Sequence, residues 1–282
     1  MFTLNCRGKL LVARRPLIMG ILNSTPDSFY AGSRVASLET LLQTADRMIA
    51  DGADILDIGG QSSRPGAEEV GVEEELQRVI APISAIHKRF PHIPLSVDTW
   101  HARVAEQALS VGASIVNDVS GGTLDPMMIE TVGRLGAPYV CMHMRGDPAT
   151  MARHADYEDV TREVLDLFIR RIDDCRRAGI HDLILDPGLG FAKRAVHNLA
   201  LLKNLALLAG ITGRPLLLGV SRKSFIYKAL ELPGPESALN GSTVMNTLAL
   251  LHGAAILRVH DPKEAREAVR LTELYKSENS RS

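Results

Sequence analysis

The feature that most limits the fold of this chain is a rhythm. Short apolar runs end in polar residues, longer amphipathic stretches follow, and the pattern returns about eight times. The runs lie at residues 17–22, 55–58, 95–97, 115–116, 139–142, 183–185, 216–219 and 256–259. They are near-continuous, not alternating, as expected of parallel strands buried on both faces. The stretches between them read as helices over 38–50, 73–88, 101–111, 157–178, 197–208, 242–251 and 263–276. Ser37 reads as the cap of the first and Pro262 as the opening of the last. Gly52, Gly112, Gly179, Gly210 and Gly253 read as stops. Helices alternating with eight strands predict an α/β fold, a (β/α)8 TIM barrel. An open doubly wound sheet is the alternative, but no GxGxxG follows the first run. Residues 3–13 read as a short N-terminal β-hairpin around Arg7-Gly8, suited to plugging the N-terminal end of the barrel. The 282 residues suit one domain over 1–282, with a polar tail at 277–282 expected to fray.

Composition narrows the function classes. Hydrophobic residues make up 45% and charged residues 23%, a globular balance. A formal net charge of −1 leaves no field of one sign for nucleic acid or an anionic membrane, so neither is expected as a partner. Cys6, Cys141 and Cys175 are odd in number and far apart, which argues against a disulfide framework or zinc site and for a cytoplasmic protein. Residues 1–15 do not read as a signal peptide, and no apolar run is long enough to span a bilayer.

Active sites of such barrels lie where the strands end. The first run leads into Asn23-Ser24-Thr25-Pro26-Asp27-Ser28-Phe29, and the second into Asp57-Ile58-Gly59-Gly60-Gln61-Ser62-Ser63-Arg64-Pro65-Gly66. The next ones end in Asp98-Thr99, in Asn117-Asp118, in His143 and Arg145, and in Asp186-Pro187-Gly188-Leu189-Gly190-Phe191. The last two give Ser221-Arg222-Lys223-Ser224, and Arg258 with His260-Asp261. One polar exit is unremarkable, because loops are polar and Asp or Asn caps helices. Eight converging on one mouth make a site.

Two groups separate among them. Asp98, Asn117 and Asp186 offer carboxylate and amide partners for a flat heterocycle with an amino-amide edge, such as a pterin or guanine ring, with Met142 as an apolar wall. Arg64, Arg222, Lys223, Arg258 and His260 form a basic group suited to an anion such as a phosphate, with Ser63 and Asn23 as neutral donors. Arg145 and Arg194 read as solvated loop charges. A diphosphate commonly brings magnesium with few protein ligands, and the Asn23 amide oxygen is placed to be one. HExxH, zinc-type Cys/His spacing and a Walker sequence are all missing.

Several strings then resemble one family in the right order. Met19-Gly20-Ile21-Leu22-Asn23-Ser24-Thr25-Pro26-Asp27-Ser28-Phe29, residues 57–67, 96–99, 117–122, Met142-His143-Met144, and residues 186–191, 219–225 and 258–261 resemble dihydropteroate synthase. The resemblance implies a transferase of folate biosynthesis. Such an enzyme joins (7,8-dihydropterin-6-yl)methyl diphosphate to 4-aminobenzoate, releases pyrophosphate, uses Mg2+, is blocked by sulfonamides and works as a homodimer. It implies that Asp98, Asn117, Met142, Asp186 and Lys223 bind pterin, and that Asn23, Ser63, Arg64, Arg258 and His260 bind diphosphate, with Asn23 on the metal. It gives Phe29, Ser63, Pro65, Phe191 and Ser224 to the aminobenzoate, and catalysis to Lys223, Arg64, Asp98 and Asp186.

The chain departs from the family in two loops. Where the family's second loop usually reads Glu-Ser-Thr-Arg-Pro-Gly, this chain has Gln61-Ser62-Ser63-Arg64-Pro65-Gly66, and its first loop has Ala31 where an acid is usual. Fold alone does not fix function. A pterin-dependent methyltransferase would share the carboxylates without needing the basic group, and a non-catalytic binding paralogue would be expected to lose Asn23, Lys223 or Arg258.

Overall fold

A computed structural model describes residues 1–24, 34–61, 70–147 and 150–278. The hairpin is β1 (Phe2–Cys6) and β2 (Lys9–Ala13), paired antiparallel. Eight parallel strands follow: β3 (Leu17–Asn23), β4 (Ile55–Gly59), β5 (Leu95–Asp98), β6 (Ile115–Asp118), β7 (Tyr139–Met142), β8 (Leu183–Asp186), β9 (Leu217–Leu218) and β10 (Ile256–Val259). Their order in the sheet is β8-β7-β6-β5-β4-β3-β10-β9. A parallel bridge between Leu185 and Leu216 brings the two ends together, so the sheet closes into the expected barrel.

The helices are α1 (Arg34–Ala50), α2 (Val72–Arg89), α3 (Ala102–Val111), α4 (Met128–Leu135), α5 (Val160–Arg177), α6 (Ala195–Lys203), α7 (Leu205–Thr212), α8 (Ser224–Ala229), α9 (Leu239–Leu251) and α10 (Pro262–Glu278). In α2, Leu76, Val79, Ile83 and Ile86 recur at helical spacing and are buried, while Glu73, Glu74 and Glu75 open the helix and His87, Lys88 and Arg89 close it. That charge order complements the helix dipole.

Several boundaries differ from the sequence reading. The first helix begins a turn earlier, at Arg34, so Ser37 lies inside it and is not its cap. The helix expected from residue 157 begins at Val160, where Asp159 caps α5 by accepting from the backbone N–H groups of Thr161 and Arg162. The single helix expected over 197–208 is two helices, broken at Asn204, whose side chain donates to Thr161 Oγ1 and Ala200 O. That segment is apolar on nearly every face, so its period could not reveal the break. Gly210 lies within α7, and Gly213, at φ 62°, makes the stop. The helices α4 and α8 are short and were not foreseen, and α10 carries Ser277 and Glu278 beyond the expected fraying point.

The barrel interior is layered. Leu4, Cys6 and Ala13 of the hairpin are buried against Leu17, Met19, Ile55, Ile115, Val140, Ile184, Leu217 and Ile256. The hairpin thus plugs the N-terminal end with apolar contacts. A strand returns to the same face every two residues. Two positions beyond Ile55, Ile115, Val140, Ile184 and Ile256 stand Asp57, Asn117, Met142, Asp186 and Arg258. One interior layer is therefore an apolar floor, and the layer above it is largely polar. Outward-facing strand residues and the inner helix faces form the main core, which includes Ile58, Val97, Val116, Cys141 and Leu257.

Close helix contact gives a test of this packing. Gly133 of α4 sits against the end of α5, and a Cβ there would fall 2.0 Å from the Ala178 carbonyl oxygen. Alanine gains about 1 kcal/mol of helix propensity over glycine, but overpacking costs about 1–3 kcal/mol. The clash is severe enough for overpacking to win, so Gly133→Ala is expected to lower the urea midpoint and cost about 1–2 kcal/mol of stability.

Candidate active site

The parallel register sets the strand tips side by side. Asn23 pairs with Gly59, Gly59 with Asp98, and Asp98 with Asn117, while Met142 pairs with Asp186. Arg258 reaches from β10 across the interior to two carboxylates. Its Nε donates to Asp57 Oδ2 at 2.7 Å and its Nη2 to Asp98 Oδ2 at 2.6 Å. Asn117 Nδ2 donates to the same Asp57 oxygen at 3.0 Å. Asp57 is fully buried, and its Oδ1 has no partner among the described residues. Burial pushes the Asp98 carboxyl up to about 7, with Arg258 pulling against it. Burial also raises Asp186, whose Oδ1 accepts from Gly188 N at 2.7 Å.

Lys223 forms the other side. Its Nζ donates to Leu189 O at 2.6 Å and lies 3.9 Å from the centre of the Phe191 ring. Such an ammonium is held by the negative face of the ring as well as by the carbonyl. Burial lowers the Lys223 pKa to about 7, opposed first by Asp186. Gly190 makes room for this side chain: at φ 83°, a Cβ there would meet Lys223 Cδ at 2.7 Å. Phe191 and Met142 share one buried apolar cluster with Trp100, Val119, Met144, Met151 and Ala192.

The remaining cations divide. His260 Nδ1 lies 3.0 Å from Ser221 Oγ, beside the mouth. Arg222, read from sequence as part of the anion group, has φ 57° and pairs bidentately with Asp261 at 3.0 and 2.7 Å. Arg145 is not a solvated charge. It donates to both Glu163 carboxylate oxygens and stacks 4.0 Å from the Tyr157 ring centre, because the β7 exit folds back onto α5. Arg194 pairs with Asp156 and stays exposed, as expected. Ser224 is exposed at the first turn of α8. Phe29, Ser63, Arg64 and Pro65, together with Ala31, lie outside the described residues.

Gln61 explains one departure. Its Nε2 donates to buried Glu75 Oε2 at 2.7 Å, and its Oε1 accepts from Val70 N at 3.3 Å. A glutamate at this position would set a second carboxylate against Glu75, which burial already holds above its ordinary pKa.

A cleft of about 770 Å³ lies elsewhere, at the N-terminal ends of the strands, lined in part by Arg15, Asp54, Arg266 and Arg270. Arg266 and Arg15 there share the single carboxylate of Asp54. The strand-tip residues are absent from its lining.

The pterin-binding enzyme family model matches residues 19–260. The Escherichia coli (strain K12) dihydropteroate synthase is 45% identical over 279 residues, covering 98% of each chain. The Yersinia pestis dihydropteroate synthase solved as a sulfonamide drug complex superposes with a TM-score of 0.91 at 41% identity, covering 98% of this chain and 100% of that one. The Xanthomonas albilineans enzyme in complex with 7,8-dihydropteroate superposes at 0.85 with 37% identity, covering 98% of this chain and 99% of that one. This chain belongs to the dihydropteroate synthase family.

Within that family frame, sequence reasoning gave no role to two residues at the mouth. Asp57 had a signal: it is a charge inside an apolar strand, as is Arg258, and a buried charge needs a partner. Lys193 had none. Its Nζ contacts His143 Nδ1 and donates to three carbonyl oxygens, a convergence that only the folded loop creates.

The Arg258 cluster yields a stability test. Arg258→Met would leave buried Asp57 and Asp98 without their countercharge. We expect a loss of about 3–5 kcal/mol at pH 8, measured by urea unfolding. The loss should shrink at pH 5, where Asp98, titrating near 7, is already neutral.

Proposed function

We propose that the strand-tip side chains carry the dihydropteroate synthase reaction. (7,8-Dihydropterin-6-yl)methyl diphosphate reacts with 4-aminobenzoate to give 7,8-dihydropteroate and pyrophosphate. Family membership along nearly the whole chain supports the activity. The observation that carries the residue roles is the Arg258-bridged group of Asp57, Asp98 and Asn117 facing Asp186 and Lys223 across one barrel mouth.

In this reading Asp98, Asn117, Asp186 and Lys223 hold the pterin edge, and Met142 forms its wall. Arg258 uses Nε and one Nη2 hydrogen on carboxylates, and its other N–H donors remain for the diphosphate. Asn23, Ser63, Arg64 and His260 complete that binding set. The bond between the methylene carbon and the diphosphate oxygen breaks with its electron pair leaving on pyrophosphate. Fixed cations stabilise that growing charge without reorganising. Asp98 and Asp186 face the cationic pterin left behind. The arylamine nitrogen forms the new bond and then sheds its proton. It needs positioning more than activation, which falls to Phe29, Ser63, Pro65, Phe191 and Ser224, the set that sulfonamides would occupy.

Asn23 ends β3 with an exposed side chain, a neutral hard-oxygen donor of the kind magnesium accepts alongside diphosphate oxygens and water. When bound, Mg2+ would neutralise diphosphate charge. Among the described residues no single helix is long and apolar enough to cross a membrane. The three free, buried cysteines fit a reducing cytoplasm. A homodimer has a candidate face. Val244, Leu248 and Leu251 of α9 and Leu271, Leu274 and Tyr275 of α10 are exposed at helical spacing on two neighbouring helices. A second copy covering them would remove a large apolar patch from water.

The decisive assay is pyrophosphate release that depends on 4-aminobenzoate; no dependence would refute the activity. Lys223→Ala and Asp98→Asn should each cut kcat by about 100-fold or more while the fold stays intact by circular dichroism. The pH profile follows from the two shifts. Asp98 is needed as a carboxylate, so kcat/KM for the pterin substrate falls as pH drops below about 7. Lys223 is needed as an ammonium, so it falls again as pH rises above about 7. The expected profile is a narrow bell, whose acid limb disappears in Asp98→Asn.

A further inference from the structure

The turn after β8 encloses a lysine that none of the roles above uses. Lys193 is partly exposed, but its ammonium faces inward. Nζ donates to Gly188 O at 2.9 Å, Phe191 O at 2.9 Å and His143 O at 3.2 Å, and lies 3.0 Å from His143 Nδ1. Two of these carbonyls belong to the turn that Lys193 itself ends, and the other two atoms belong to the β7 exit. Burial and the nearby Lys193 charge lower the His143 pKa to about 2, so this ring is neutral and Nδ1 accepts. The same turn supplies the Leu189 carbonyl that receives Lys223 and the Phe191 ring on which Lys223 rests. Backbone contact is tight: at φ 66°, a Cβ on Gly188 would fall 2.1 Å from His143 O.

We propose that Lys193 is a positioning residue, whose ammonium draws the Gly188–Phe191 turn onto the β7 exit and thereby fixes the Phe191 ring and the Leu189 carbonyl for aminobenzoate binding. Convergent carbonyls repel one another unless a cation stands between them. Burial lowers the Lys193 pKa to about 7, Asp186 pulls against that, and the protonated form makes the stronger hydrogen bond to each carbonyl. The pterin residues depend on it less. Asp98 and Asn117 are held from β10 and β4 by Arg258 and Asp57. Removing the ammonium should therefore loosen the amine side of the mouth before the pterin side.

The proposal rests on giving Phe191 to the aminobenzoate, so the test carries one readout that needs no substrate. Trp100 is the single tryptophan of the chain, is 4% exposed, and shares a buried cluster with Phe191 and Ala192. In Lys193→Met, which keeps the length of the stem and removes the charge and donors, acrylamide quenching of Trp100 should rise at least twofold. KM for 4-aminobenzoate should rise about tenfold or more, with KM for the pterin diphosphate within about threefold of the original, figures on the scale of a lost charged hydrogen bond. Quenching that rises while both KM values hold would support the positioning role and count against Phe191 as the amine contact. Unchanged quenching in a folded variant overturns the proposal, as does an equal rise in both KM values. Should Lys193→Met fail to fold, Lys193→Gln keeps two N–H donors without the charge. It should shift the same two readouts in the same direction but less, and original values for both would overturn the proposal.

Discussion

The site depends on a guanidinium held inside a closed barrel. Arg258 stands between Asp57 and Asp98, at 2.7 and 2.6 Å, where the carboxylates are largely shielded from water. An isolated charge in that position would neutralise itself by shifting its pKa. With Arg258 between them, the chain keeps acidic groups at the strand tips at a desolvation cost it can bear. On the other side, Lys223 and Lys193 stand near Asp186. The mouth is thus a set of opposed charges that nearly cancel, which agrees with a protein whose net charge is −1. The charge at the mouth is a local arrangement and not a field over the whole surface.

Beneath this layer the hairpin matters more than its length implies. By burying Leu4, Cys6 and Ala13 against the interior side chains of seven strands, it closes the floor of the barrel. A dry floor lowers the effective dielectric under the charged layer and strengthens each interaction there. The apolar wall of Met142, Phe191 and Trp100 does the same from one side. Lys223 touches both environments, donating a hydrogen bond to the Leu189 carbonyl and placing its ammonium over the Phe191 ring.

Much of this is legible in the sequence. Near-continuous apolar runs announced parallel strands, and polar exits from all eight marked the mouth. The hairpin, the barrel and the grouping of Asp98, Asn117 and Asp186 follow from those patterns. The sequence reading grouped Arg222 with Arg258, although only Arg258 stands inside an apolar run. One turns away to Asp261 and the other turns inward. The break at Asn204 was hidden because α6 and α7 are apolar almost all round, and Arg145 looked solvated because its partner Glu163 lies on a different element.

The sequence by itself determined the period, the strand count, the residue types available at each tip and, through a two-residue repeat, which of them share a face. That information is local, because pleat and helix periods are properties of the backbone. Only the tertiary structure decided which cation meets which carboxylate, and that Lys193 closes on the turn it follows. Those pairings join residues up to 201 positions apart, from Asp57 to Arg258. They are set by barrel closure and by the cost of leaving a buried charge alone, and no local pattern encodes either.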